Sequence, residues 1–267
     1  MPLDALGQEH KRADPTARIV CLVPSVTELL FALGLGSQLV GRTGFCIHPA
    51  PAVRAIAKCG GTKDVHLDTV RALRPSHVIV NIDENTRETF EALQRFVPHV
   101  VVTHPNHPDD NPVLYRLLGA IFGRDAAAEQ LVGAYETARS LLGQRTAGLP
   151  SRRALYLIWR EPWMTISADT YIGNMLLLGG YEVVPVKAGT RYPALDDAEI
   201  ARAGAEICLL SSEPYPFRAQ HLAEVESLAG CEAQLVDGEM FSWYGNRAID
   251  ALDYLGRLAC GQLGCAA

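Results

Sequence analysis

Residues 18–43 read RIVCLVPSVTELLFALGLGSQLVGRT, and they contain a strand, a helix, a glycine turn and a second strand in that order. Ile19, Val20, Cys21, Leu22 and Val23 form an apolar run suited to a strand buried on both faces. Pro24 ends the run, because proline has no amide to donate to a central ladder. Ser25 has the chemistry of a helix N-cap, Glu28 stands three residues later as its capping-box partner, and Leu29, Leu30 and Leu33 supply an apolar face. Gly34 and Gly36 stop the helix. A strand that delivers its C-terminal end to a helix N-terminus is where open α/β sheets bind ligands, since amides and the positive end of the helix dipole face that edge.

The same plan continues outward. DTVRALRPSHVIVN (68–81) predicts a helix, a break at Pro75 and a buried strand from His77 to Asn81. A helix over 85–96 follows, with Phe90, Leu93 and Phe96 on one side, and HVVVT (99–103) is a further short strand. HPNHPDDNP (104–112) is a loop by its turn chemistry. Residues 113–143 are helical in pattern except for a glycine turn near Gly123, which implies one long helix over 126–142. After TAGLPS (146–151), a β run at 153–159 restarts the alternation. IGNMLLLGGYEVV (172–184) repeats helix, Gly-Gly turn and strand, and DDAEIARAGAEICLLSSEPYPF (196–217) parallels 68–85; a closing helix is expected over 245–263. The predicted organisation is an N-terminal extension at 1–17, an α/β lobe at 18–112, a connecting helical segment at 113–150 and a second α/β lobe with a closing helix at 151–267.

The chain has 267 residues and a net charge of −6 with no Lys/Arg cluster, which argues against a surface built for nucleic-acid phosphates or anionic lipid. No apolar run approaches the ~20 residues needed to span a bilayer, so no membrane insertion is expected. MPLDALGQEHKRADPTA (1–17) lacks the three regions of a secretory signal. The expectation is therefore a cytoplasmic protein if Met1 is the native start, and a periplasmic one if a signal was removed. Seven cysteines, at 21, 46, 59, 208, 231, 260 and 265, fit a reducing compartment, and Cys21 and Cys208 sit in strand-like runs as small core residues.

These segments, together with FCIHP (45–49), LRPSHVIVN (73–81) and the strand after QLVDG (234–238), resemble the helical-backbone metal receptors, the substrate-binding proteins of metal-chelate ABC importers. The resemblance covers nearly all of 18–263 and is greatest to cobalamin-binding members. It implies two Rossmann-like lobes joined by a single long helix, with a chelate in the cleft between them. It also implies aromatic side chains against the corrin ring: Phe45 and Tyr192 match two such positions, while Thr62 and Asn81 stand where the pattern has further aromatics. Trp163, Trp243 and Tyr244 are candidate replacements. The family docks its permease through one acidic residue per lobe. Asp68 matches the first, but the second falls near Ala198, with Asp197 and Glu199 only as neighbours, which puts permease docking in doubt.

Read for their own chemistry, Cys46 and His48 lie two apart after a strand, and alternate residues of an extended stretch point to one side. Cys46 is a pocket candidate and a candidate axial ligand to a chelated metal, against ordinary thiol packing. CGGTKD (59–64) offers a tight turn with Thr62 and Lys63 to grip a ligand's polar group, or a plain turn with a solvated lysine. Asn81, Asp83, Glu84 and Asn85 crowd one strand end, with helix capping as their alternative, and Ser211, Ser212 and Glu213 crowd another. In WREPWM (159–164), Arg160 is expected to pair with a ligand carboxylate or Glu213, and Trp163 to be an exposed loop indole facing the ligand. FSWYGNR (241–247) supplies Trp243 and Tyr244, as ligand contacts or as core. No nucleophile elbow, HExxH or paired DxD motif is present. The sequence thus predicts a non-catalytic receptor that needs no cofactor and takes a corrinoid or other metal chelate as its ligand. Haem or a ferric siderophore is an alternative ligand, and an enzyme acting on a corrinoid is the alternative class. The expected partner is a small-molecule chelate and not nucleic acid, and the sequence does not specify an oligomeric state.

Overall fold

The computed structural model describes residues 1–187 and 189–263. Its first half comprises β1 (Ile19–Cys21), α1 (Pro24–Ala32), β2 (Leu39–Arg42), β3 (Ala57–Lys58), α2 (Leu67–Ala72), β4 (His77–Asn81), α3 (Arg87–Gln94) and β5 (His99–Thr103). Next come α4 (Asn111–Phe122) and α5 (Asp125–Thr146), separated by Gly123 in the left-handed region at φ 67°, which closes the α4 C-terminus. The second half holds β6 (Arg152–Trp159), β7 (Trp163–Thr165), α6 (Tyr171–Leu178), β8 (Tyr181–Val183), β9 (Ala194–Leu195), α7 (Asp197–Arg202), β10 (Ile207–Ser211), α8 (Leu222–Ala229), β11 (Ala233–Val236), α9 (Glu239–Ser242) and α10 (Arg247–Ala259).

Two compact units share the chain. The first holds Met1–Pro105, Asp109–Tyr135 and Tyr244–Arg247; the second holds Asn106–Pro108, Glu136–Trp243 and the chain from Ala248 onward. The division falls inside α5, so the segment expected as a connector belongs half to each unit.

The first unit contains a five-stranded sheet in the order β3-β2-β1-β4-β5, parallel throughout. Val20, Leu22, Val78, Val80, Val100 and Val102 pack with Val70 and Leu93 in one buried cluster. Their spacing of two along each strand is what puts them on one face. In α1 the expected cap does not form. Proline is preorganised for the first helical position and has no amide to satisfy, so Pro24 opens the helix and the N-cap falls one residue earlier, on Val23 in extended conformation. Ser25 is buried inside the helix without a capping bond, and Glu28 turns instead to Arg247. Thr86, rather than Asp83 or Asn85, caps α3 by accepting the Thr89 amide.

Residues 1–17 are folded onto the edge strand β5. The Ala5 amide donates to the Val102 carbonyl, and the Val102 amide donates to Asp4 Oδ2 at 3.1 Å. His10 Nε2 meets the same Asp4 oxygen at 3.1 Å, while Asp4 Oδ1 accepts from the amides of Leu6 and Gln8. A parallel edge that would otherwise present unpaired main-chain groups is thereby covered.

In the second unit β11, β10 and β6 run parallel. The start of β6 pairs parallel with β8, and its end pairs antiparallel with β7, which in turn pairs antiparallel with β9. The alternating plan expected from the sequence is present in β6-α6-β8 and α7-β10-α8-β11. It is interrupted by a hairpin: Arg160, Glu161 and Pro162 turn the chain from β6 into β7, with Glu161 at φ 65°.

Candidate functional site

In the first unit the candidate residues gather at the C-terminal ends of the strands. Arg42, at the end of β2, is buried, and its guanidinium donates to the carbonyls of Val53 (2.8 Å), Thr43 (2.9 Å) and Cys46 (3.1 Å). A buried cation satisfied by three loop carbonyls fixes the path of the loop after β2. The alternation expected along FCIHP is present, but with the opposite phase. Cys46 points inward and is fully buried, while Phe45 and Ile47 point outward with 63% and 50% of their surface exposed.

This corrects the reading of Cys46 as pocket residue and axial ligand. Its sulfur lies 3.2 Å from the hydroxyls of Thr27 and Thr43, and burial raises its pKa despite those bonds and the nearby Arg42. A buried thiol held in its protonated form is a packing group. Among the described residues no cluster of three His, Cys, Asp or Glu side chains has the arrangement of a metal site.

The CGGTKD turn lies beside Phe45. The Gly44 amide donates to the Gly60 carbonyl at 2.7 Å, and Gly61 donates to Asp64 at 2.8 Å. Gly60 is at φ 93°, and a Cβ there would stand 2.2 Å from the Asp64 carbonyl oxygen, so the turn requires glycine. A Cβ on Gly61 would come within 3.3 Å of the Phe45 ring, which therefore rests against this turn. Lys63 is exposed, and its Nζ donates to the Asp83 carbonyl at 2.6 Å. The Thr62 carbonyl accepts from Asn85 Nδ2 at 2.9 Å. Asn81 is buried, and its Oδ1 accepts the amides of Asp83 and Glu84. Glu84 accepts the Tyr244 hydroxyl at 2.6 Å. Burial first, then the Glu84 carboxylate, drive the Tyr244 phenol well above its ordinary pKa, so it acts as a donor throughout the neutral range.

In the second unit the segment around Tyr192 is fixed by its neighbours: the Arg191 carbonyl accepts the Ser167 amide (2.8 Å) and the Pro193 carbonyl accepts the Thr165 amide (3.0 Å). Tyr192 retains 37% exposure. Trp163 does not. It lies in β7 with 9% exposure, its ring parallel to Phe217 within 3° and its Nε1 donating to Asp197 at 3.0 Å. The expected exposed loop indole is thus a core residue. Arg160 lies over the Trp163 ring at 5.6 Å and pairs with Glu224 through two nitrogens and with Glu161, not with Glu213.

Glu213 is likewise an internal group. Its Oε1 accepts from the Ser242 hydroxyl (2.5 Å) and Trp243 Nε1 (2.9 Å), and Trp243 is buried. Burial is the largest influence on its pKa and raises it, with Glu239 and Asp237 adding to the effect. A carboxyl whose pKa is raised on folding stabilises the fold fully below the ordinary glutamate range and loses that contribution as pH rises through the raised value. We expect the thermal midpoint to fall over that window and Glu213→Gln to flatten the fall, read from unfolding curves between about pH 4 and 8. Equal slopes in both proteins would refute this role for Glu213.

Sequence reasoning missed two surface groups here. Ile47 was recoverable from its alternation with Phe45. Trp159, 40% exposed and edge-on to Tyr215 at 5.7 Å, carried no signal separating it from Trp163 in the same hexapeptide.

The first unit is thus a parallel-sheet domain and the second a mixed sheet whose strands β11, β10 and β6 run parallel, each with polar groups at the strand ends where such sheets bind ligands. The periplasmic binding protein family model matches residues 19–234, and the chain belongs to that family. A vitamin B12-binding protein of Pectobacterium carotovorum subsp. carotovorum is 22% identical over 202 residues, which cover 74% of this chain and 72% of that relative. Among solved structures, the periplasmic vitamin B12 binding protein BtuF of Vibrio cholerae matches with a TM-score of 0.81 at 15% identity, over 92% of this chain and 97% of that one. A periplasmic haem-binding protein from Pseudomonas aeruginosa matches with a TM-score of 0.80 at 18% identity, over 94% and 95%. Family membership makes this a binding protein and not an enzyme, and such proteins carry a bound ligand where enzymes carry a cofactor. Among the described residues no helix is long and apolar enough to cross a membrane.

Proposed function

We propose that the protein binds a metal chelate, cobalamin or another corrinoid ahead of haem or a ferric siderophore, and releases it chemically unchanged. The observation that supports this most is the pair Phe45 and Ile47, two apolar side chains turned outward from a loop that the buried Arg42 holds in place. A flat macrocycle gains dispersion contact and sheds water against such faces, and an anchored loop has little freedom left to lose on binding. Tyr192 offers the corresponding aromatic face in the second unit. The names of the sequence relatives favour the corrinoid within the chelate class. Lys63, Glu84, Arg160 and Glu213 have partners within their own units, so their role is to hold the strand ends in shape; ring contacts supply the affinity.

The family's name supports a periplasmic setting, and an importer permease is the receiving partner in this reading. Asp68, almost fully exposed in the first turn of α2, is the acidic residue offered for docking. Asp197 and Glu199 hold Trp163 and the α7 capping box, respectively. Absorbance titration with cobalamin, cobinamide, haem and a ferric hydroxamate tests the proposal. Saturation by one corrinoid per chain is expected. A response confined to haem or the hydroxamate would refute the corrinoid, and silence toward all four would refute the chelate.

A further inference from the structure

We propose that Cys208 and Cys231 form a reversible intramolecular disulfide that staples β10 to the turn before β11. Their sulfurs lie 3.6 Å apart. The main chain already holds the two segments together: the Cys208 amide donates to the Glu232 carbonyl at 2.8 Å, and Cys208 is in register with Ala233 of β11. Closing a disulfide of about 2.05 Å therefore starts from two sulfurs and two chain segments already held side by side. The other described thiols face oxygen: Cys21 the Val23 carbonyl, Cys46 two threonine hydroxyls, Cys59 the Ala57 carbonyl and Cys260 the Arg145 carbonyl. Cys265 lies outside the described residues.

The two cysteines differ in access, which sets the order of events. Cys231 is half-buried, just past Gly230, which ends α8 in the left-handed region at φ 70°; Cys208 is buried near the start of β10. The Cys231 thiolate attacks one sulfur of a small organic disulfide. The S–S bond of that disulfide breaks, one half leaves as thiolate and takes up the proton Cys231 gave up, and a mixed disulfide remains on Cys231. Cys208 then loses its proton as its sulfur attacks Cys231 Sγ, and the second half leaves as thiol. Two protein S–H groups are oxidised, and one organic disulfide is reduced to two thiols. Burial and the neighbouring Cys231 thiol both raise the Cys208 pKa; tying up Cys231 in the mixed disulfide removes the second influence before Cys208 has to react.

The test uses the full chain incubated with oxidised glutathione, alkylated and mapped by mass spectrometry. The expected result is a Cys208–Cys231 linked peptide that a phosphine reductant abolishes, with a thermal midpoint roughly 7–14 °C above that of the reduced protein, as a closed loop of roughly two dozen residues implies. Cys208→Ser should instead retain glutathione on Cys231, trapping the first step. The proposal fails if both thiols are still alkylated after oxidation of the wild-type protein, or if Cys231 of the wild-type protein keeps glutathione without passing it on to Cys208.

Discussion

Phe45→Ala should weaken cobalamin binding roughly 5- to 150-fold and leave the thermal midpoint within about 2 °C of wild type. The affinity effect follows from the aromatic area a stacked ring removes from water plus its orientation-dependent attraction, together about 1–3 kcal/mol. The small stability effect follows from exposure: a ring that is 63% accessible in the protein forfeits little when it is cut back. Ile47→Ala should show the same pattern with a smaller loss. Cys46→Ser should spare any absorbance change at the metal, because a sulfur held between Thr27 and Thr43 does not reach a ligand. Calorimetric titration beside thermal unfolding separates the two quantities. A Phe45→Ala protein that binds cobalamin as wild type does would remove this ring from the site.

The second large effect is expected at Glu28 and Arg247. The pair is bidentate, at 3.0 and 2.9 Å, and both side chains are largely buried, so each is the other's replacement for water. Arg247→Ala leaves the Glu28 carboxylate buried without its cation and should cost about 3 kcal/mol of stability. For a chain of this size that corresponds to a thermal midpoint lower by roughly 6–12 °C. Glu28→Met with Arg247→Met should recover most of the loss, since what costs free energy is the orphaned charge and not the absence of a pair. Adjacent contacts within the first unit fix the same segment: the Gly245 amide donates to Asn111 Oδ1 at 2.6 Å, and the Tyr115 hydroxyl donates to the Gly245 carbonyl at 2.8 Å. If Arg247→Ala unfolds at the wild-type temperature, the pair contributes nothing measurable.

Much of this fold could be read in advance because its signals are local. The apolar run 19–23, the proline after it and the glycines at 34 and 36 are all short-range chemistry, and β1, α1 and β2 lie where those residues predict. The same is true of β4, β5, β6, β10 and the glycine turn between α4 and α5. The failures share one cause, a partner distant in sequence. Glu28 reads as a capping residue until Arg247 is known, and Trp163 reads as an exposed indole until Phe217 and Asp197 enclose it. At FCIHP the period of two was legible but its phase was not. The phase is set by Arg42 and by Thr27, whose hydroxyl receives the Cys46 sulfur into the interior. Glu213 reads as a polar strand end and Tyr244 as a ring contact or a core residue, and in the structure their polar atoms bond to Trp243 and Glu84. The antiparallel hairpin of β6 and β7 was hidden because Arg160, Glu161 and Pro162 resemble an ordinary loop after a parallel strand.

The most direct measurement of the central claim is native mass spectrometry of the full chain after incubation with equal amounts of cobalamin and haem. The account predicts one cobalamin per chain as the dominant complex. A spectrum showing the unliganded chain alone, or the chain with haem alone, would contradict it.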